Sequence, residues 1–211
     1  MLPFRKLPLI LLSSLLAFAV GGPVLAHTGQ PAPWVGEIRV YNPTGWQRSV
    51  RDAADAWNRT GVTPKFVFVH DARHAQVTVT ASTKAVAARC DETYTCDAFA
   101  RRRGRRGAIW LPTQVGEEVL SPPLVRLIVH ELGHVLGLRH EMHDCARMNT
   151  DTGARLCGVL RVPPDTYACG PLQHDILAAE RLYGEPTDPS YRPWCSAHPT
   201  DFPTGATLQL S

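Results

Sequence analysis

The sequence lacks a strong excess of charge of either sign. Its 22 basic and 19 acidic residues leave a formal net charge of +3, which is too small to make nucleic acid the expected partner. Charged residues make up 19% of the chain and hydrophobic residues 44%, so the composition excludes a highly charged disordered polymer. A chain of 211 residues has room for one sizeable domain or two small ones, which excludes a large multidomain protein.

Long hydrophobic runs are also missing outside the amino terminus. There, Arg5 and Lys6 precede an apolar stretch that ends in a Val24-x-Ala26 cleavage site. This layout is typical of a secretory signal peptide, and the stretch is short for a membrane span, which needs roughly 20 apolar residues. We therefore expect cleavage of residues 1–26 to leave a secreted, extracellular protein of formal charge +1 that has no membrane contact. A retained membrane anchor is the alternative.

Paired C-x-x-C spacings, which structural zinc clusters need, are absent as well. The six cysteines all follow the signal peptide, and an even number in an oxidising compartment predicts three disulfides. Six cysteines allow about 15 sets of pairings, and the sequence favours only the short loop that Cys90 and Cys96 would close. The full set is Cys90, Cys96, Cys145, Cys157, Cys169 and Cys195.

Strand and helix patterns alternate along the first half of the exported chain. Residues 37–41 alternate polar and apolar side chains, and residues 65–69 and 76–80 are rich in β-branched and aromatic side chains, so three strands are predicted. Between the first two, Thr44 and Gln47 form a candidate capping box, followed by apolar residues at helical spacing. This order favours an α/β fold with a partly parallel sheet.

Residues 94–100 and 108–113 are expected to form two strands of a hairpin. The segment 101–106 between them holds five arginines and is predicted to be a loop. One interpretation is a solvated turn whose charges discourage edge-to-edge aggregation. The other is a site for acidic substrates or anionic surfaces, formed by the arginines from Arg101 to Arg106.

The most informative segment is HELGHVLGLRH at residues 130–140. Ser121-Pro122-Pro123 predicts the start of its helix, on which His130 and His134 share one face because they are four residues apart. Gly137 can adopt a positive φ and end the helix, so that His140 supplies a third nitrogen. Three protein ligands leave one coordination position of a zinc ion open for water, which is the arrangement of catalytic sites.

This arrangement predicts hydrolysis of peptide bonds without a covalent intermediate. A single catalytic Zn²⁺ would acidify its bound water and polarise the substrate carbonyl. Glu131 would accept the water's proton and deliver it to the leaving amine. Histidines that bind no metal are the alternative, and that reading suits a bare HExxH better than this extended motif.

The segment resembles the HExxHxxGxxH signature of the metzincin zinc endopeptidases, and it is most similar to the matrixin branch and its small secreted bacterial relatives. Residues 145–149, Cys-Ala-Arg-Met-Asn, are similar to the family's methionine turn, with Met148 eight residues after His140. Residues 171–176 and 181–184 resemble the family's last helix. Glu141 follows the third histidine, where astacins have glutamate and matrixins usually have serine.

The resemblance implies a metzincin-like mixed, mostly parallel sheet with two long helices, a zinc cleft and a small C-terminal helix-and-loop subdomain. It places a catalytic domain at residues 27–184, followed by a Pro-rich tail at 185–211. In the family an extended protein or peptide substrate pairs with the edge strand that borders the cleft, and residues 94–100 are the candidate here. Latency through a propeptide cysteine is not expected, because no cysteine precedes Cys90.

Several other features leave alternatives open. His70, Asp71 and His74 could help to bind a second ion or could form an exposed polar loop, and His143 competes with His140 for the third ligand position. Calcium is common in the family, but no ligands are assigned. We expect a monomer. The alternative functions are a secreted protein that binds anionic polymers and a zinc amidohydrolase that acts on a non-protein amide.

Overall fold

A computed structural model describes residues 32–88, 98–113, 122–142, 146–149, 170–184 and 188–191. The signal peptide, Ser121, His143 and all six cysteines, including the Cys90 and Cys96 pair, lie outside these ranges, as does the tail apart from 188–191. The predictions for these parts therefore stay predictions.

Five strands form one sheet. They are β1 (Glu37–Tyr41), β2 (Lys65–Phe68), β3 (Val77–Ala81), β4 (Phe99–Arg103) and β5 (Arg106–Leu111). Their spatial order is β2-β1-β3-β5-β4; all neighbours are parallel except β4, which runs antiparallel to β5 at one edge. The prediction of a mixed, mostly parallel sheet is confirmed, and the first three strands begin and end within one residue of their predicted positions.

Four α-helices accompany the sheet in the described ranges. They are α1 (Gln47–Arg59), α2 (Thr83–Ala87), α3 (Pro122–Leu136) and α4 (Gln173–Tyr183). A 3₁₀ turn at Ala72–His74 lies between β2 and β3. None of the helices within these ranges combines the length and the apolar character that crossing a membrane requires.

Two tryptophans anchor α3 in the hydrophobic core. The apolar stripe predicted for α1 is buried, and from it the indole N–H of Trp57 donates to the carbonyl of Val129 at 2.9 Å. The indole of Trp34, which precedes β1, donates to the carbonyl of Val135 at 2.8 Å. Each indole contributes apolar area and satisfies its polar N–H at the same time. The helix that carries the first two histidines is therefore held by one residue that precedes β1 and by one that follows it.

The capping box predicted for Thr44 and Gln47 is not formed. The residue that precedes α1 is Trp46, whose side chain offers no oxygen to the helix. The hydroxyl of Thr44 instead accepts from the backbone N–H of Trp46 at 3.2 Å, and the Gln47 side chain donates to the carbonyl of Asn42. Both polar side chains therefore stabilise the turn before the helix, which is the competing use that such residues often find.

The arginine loop predicted at residues 101–106 is also wrong. β4 and β5 run through the arginines, and Gly104 and Arg105 alone form the turn, with Gly104 at a φ of 56°. Two-residue turns suit the twist of antiparallel strands and favour glycine at positive φ. Of the edge strand predicted at 94–100, only residues 99 and 100 are described as strand, and β4 continues three residues further.

Candidate metal centre

The end of α3 and the loop after it bring three histidines together. His130 and His134 lie one turn apart, and α3 ends at Leu136. Gly137 adopts a φ of 108°, and the backbone N–H of Leu138 donates to the carbonyl of Gly133 at 2.9 Å. A side chain other than glycine's would be strained in this left-handed conformation. The helix break predicted at Gly137 is therefore confirmed.

The Nε2 atoms of the three histidines form a nearly equilateral triangle. The distance is 3.1 Å from His134 to either of the others and 3.2 Å from His130 to His140. A tetrahedral ion with bonds of about 2.0–2.1 Å holds its ligands about 3.3–3.4 Å apart, so the triangle has the size that one ion needs. The three histidines are close enough to bind a metal ion, and within the described ranges they are the only such group.

Backbone carbonyls determine which ring nitrogen carries the proton. Nδ1 of His130 lies 2.9 Å from the carbonyl of Arg147, and Nδ1 of His134 lies 2.9 Å from the carbonyl of Leu138. Because a carbonyl can only accept, each Nδ1 must donate, and each Nε2 is left with a lone pair. The lone pairs of these two Nε2 atoms, which lie 3.1 Å apart, repel each other, and a cation bound to both atoms would remove this repulsion.

Desolvation keeps these imidazoles neutral. It lowers the pKa of His130 to about 3, with a smaller contribution from the charge of His134, and it lowers the pKa of His134 to about 4. The pKa of the more exposed His140 is lowered for the same reason. Neutral imidazole is the form that binds metal ions, so the ligands need not lose protons near neutral pH.

Glu131 adjoins the triangle and is buried. The residue is 4% exposed, and desolvation raises the pKa of its carboxyl group to about 8, although a hydrogen bond from the backbone N–H of Ala100 in β4 acts in the opposite direction. Its Oε2 atom has no hydrogen-bond partner among the described residues. A nearby cation favours the charged form of a carboxyl group, so this oxygen is suited to accept a proton once an ion is bound.

Met148 lies directly beneath α3. A Cβ atom added at Gly133 would collide with Sδ of Met148, so the turn and the helix touch at the residue before His134. The side chain of Met148 is 2% exposed, and its carbonyl accepts from the backbone N–H of Glu141 at 2.9 Å. The structure thus packs the turn at Arg147 and Met148 against the helix that carries His130 and His134.

Asp175 of α4 positions this turn, a role that the sequence reasoning missed. Its carboxylate accepts from the backbone N–H groups of Arg147 at 2.6 Å and of Met148 at 2.9 Å. It also accepts from the N–H of Leu172 at 2.7 Å, at the start of α4. Since the Arg147 carbonyl holds the ring of His130, Asp175 links α4 to the histidine triangle. An acidic residue three positions into a helix was the available signal.

Glu141 ties the loop that bears His140 to α4. Its Oε2 lies 3.0 Å from Nε2 of His174, and its carbonyl accepts from the Asn149 side chain at 2.8 Å. The residue after the third histidine therefore fixes the loop from the side of α4 as well as from the turn.

A second ion at His70, Asp71 and His74 receives no support. The carboxylate of Asp71 accepts from the backbone and the guanidinium of Arg73, with an ion-pair distance of 2.7 Å. Both histidines are exposed, and within the described ranges the three residues do not form a group of converging ligands. The alternative of an exposed polar loop is favoured.

No model of a protein family matches the chain, and a search of curated proteins finds no match either. The chemistry of the centre must therefore be inferred from the residues that form it.

Proposed function

We propose that the protein is a secreted zinc endopeptidase of the metzincin type, similar to matrixins, with one catalytic zinc on His130, His134 and His140. The observation that carries the proposal is the triangle of three histidine Nε2 atoms beside the buried carboxyl group of Glu131. Three imidazoles that leave a coordination position open are a ligand set of catalytic zinc sites. When bound, zinc supplies an acidified water molecule and polarises the substrate carbonyl.

Glu131 provides the proton transfer in this proposal. Its Oε2 accepts the proton of the attacking water and later returns it to the amine that leaves. The residue is 4% exposed and its carboxyl group bonds to the Ala100 N–H, so the carboxyl group is held in place and shielded from bulk water. A catalytic base held by the helix and by the neighbouring strand needs little reorganisation during the reaction.

β4 supports the proposal of a peptide substrate. It is an edge strand, and the pairing of Arg103 with Arg106 next to a two-residue turn directs the N–H and C=O groups of Ala100 and Arg102 away from β5. The Ala100 N–H bonds to Glu131, which leaves the Ala100 carbonyl and both backbone groups of Arg102 for a peptide. An extended peptide that pairs with this edge would pass beside Glu131, which already contacts Ala100.

Replacement of Glu131 by alanine tests the proposal. Since Glu131 is not a ligand, the variant should keep close to one zinc per chain. It should lose the proton acceptor, so hydrolysis of an unfolded protein should fall by about 10²–10⁴-fold.

Two results would contradict this proposal. The first is a wild-type protein that cleaves nothing in a peptide library when saturated with zinc, which would favour the amidohydrolase alternative. The second is a Glu131→Ala protein that cleaves as well as the wild type. A variant that loses its zinc would instead show that Glu131 supports the metal.

A further inference from the structure

Three arginines of the β4–β5 hairpin share the sheet face that points away from α3. Arg102 reaches α3, where its Nη1 donates to the carbonyl of Leu136 at 3.0 Å. Side chains alternate along a strand, so Arg101 and Arg103 lie on the opposite face, together with Arg106, the cross-strand partner of Arg103. Arg101, Arg103 and Arg106, the outer arginines, are all exposed.

The side chains of the outer arginines make no ion pair or hydrogen bond with the described residues that would stabilise the fold. Arg103 and Arg106 lie directly opposite each other, and like charges in such a pair are destabilising. Within the described ranges no acidic side chain offsets this repulsion, since no ion pair or hydrogen bond involves the outer arginine side chains. The residue opposite Arg101 is Ala108. No described residue occupies their guanidinium groups, so these groups can bind an anion that comes from elsewhere.

Their position connects them to the metal centre. Arg101 follows Ala100, whose backbone N–H contacts Glu131, and Arg103 lies two residues further along the same edge strand. A peptide paired with β4 would place alternate side chains about 4.5–5.5 Å from those of the strand, measured between Cβ atoms. Substrate side chains on the outer face would then lie beside the guanidinium groups of Arg101 and Arg103.

We infer that the outer arginines select substrates with aspartate or glutamate at alternate positions on one side of the bond that is cut. This inference depends on the proposed endopeptidase function. The planar guanidinium group matches the two oxygens of a carboxylate, which makes arginine suited to this recognition. An acidic peptide is favoured over a separate anionic polymer because the arginines extend the strand that borders Glu131.

The test compares two peptides, one acidic and one with the same sequence but glutamine or asparagine at the acidic positions. For the wild type, kcat/KM at low salt should favour the acidic peptide about tenfold, because the exposed charge pairs made with Arg101 and with Arg103 each contribute about threefold. The variant Arg101→Gln/Arg103→Gln/Arg106→Gln should bring this ratio close to one. A ratio is used because any general loss of activity cancels.

A matched control removes the same charge elsewhere. Arg48, Arg51 and Arg73 are also exposed but lie on α1 and in the 3₁₀ turn. The variant Arg48→Gln/Arg51→Gln/Arg73→Gln should retain the wild-type ratio. Loss of the ratio in this control would show an effect of net charge and would overturn the inference, as would a wild-type ratio of one.

Binding to the Glu131→Ala protein separates this inference from the proposed function. If the wild type cleaves neither peptide, the endopeptidase proposal fails, but fluorescence anisotropy still measures whether Glu131→Ala binds the acidic peptide more tightly. Loss of that preference in the outer-arginine variant would support the recognition of carboxylates. If heparin binds through the outer arginines while neither peptide is preferred, the face binds anionic polymers and the peptide inference is wrong.

Discussion

The histidine triangle and the outer arginines both bring like side chains together, but they differ in what surrounds them. His130 and His134 are partly buried, and carbonyls from two segments hold their rings. Arg103 and Arg106 are exposed, and no described residue bonds to their side chains. Desolvated lone pairs that face one another are suited to bind one shared ion, whereas exposed guanidinium groups are solvated. We therefore propose a resident metal ion for the first grouping and a transient ligand for the second.

Arg102 shows how sharply the surroundings change along one strand. Its guanidinium donates to the carbonyls of Ala32 and Leu136 and lies over the ring of Trp34, 4.5 Å from the centroid. The carbonyls at the end of a helix have no partner within the helix, and a cation there also interacts favourably with the helix dipole. Arg102 therefore stabilises the end of α3, while its neighbours Arg101 and Arg103 remain available for binding.

The largest effect is expected when the triangle is broken. His140→Ala should lower zinc affinity by at least about 100-fold, because even partners that only support a ligand typically contribute 10–100-fold. Zinc occupancy measured by mass spectrometry after dialysis against a weak chelator gives the result. His143→Ala is the control and should retain its zinc. The reverse pattern would mean that His143 is the third ligand.

A smaller effect is expected when the inner arginine is replaced. Arg102→Gln should lower the free energy of unfolding by about 1.5–3 kcal/mol, which is typical for hydrogen bonds made by a charged group. Arg103→Gln, one residue further along the same strand, should change it by less than about 0.5 kcal/mol. Urea denaturation of the two variants measures the difference. Equal losses would show that the inner and outer arginines do not have different roles.

The smallest of these effects concerns the contact between α3 and Met148. In Gly133→Ala, overpacking against Met148 costs about 1–3 kcal/mol and exceeds the roughly 1 kcal/mol that alanine gains over glycine in a helix. We expect a net loss of stability in urea denaturation. Gly45→Ala is the control, since nothing lies within 4 Å of an added Cβ there. A Gly133→Ala protein as stable as the wild type would contradict the close packing.

The grouping of the three histidines could be predicted from sequence because it depends on local geometry. His130 and His134 share a helix face through their spacing alone, and Gly137 predicts the turn that brings His140 close to them. The roles of Asp175 and Arg102 could not be predicted, since each depends on contacts with residues 27 or more positions away. The charged composition of residues 101–106 is typical of a loop. Most of the segment nevertheless forms strand, because β4 pairs with β5 and β5 in turn pairs with β3.

Metal analysis tests the central claim most directly. The protein is loaded with zinc, dialysed against metal-free buffer, and compared with the variant His130→Ala/His134→Ala/His140→Ala treated in the same way. The histidine triangle predicts close to one zinc per chain in the wild type and almost none in the triple variant. Wild-type protein without zinc, or a triple variant that retains it, would contradict the assignment of these three histidines as the metal centre.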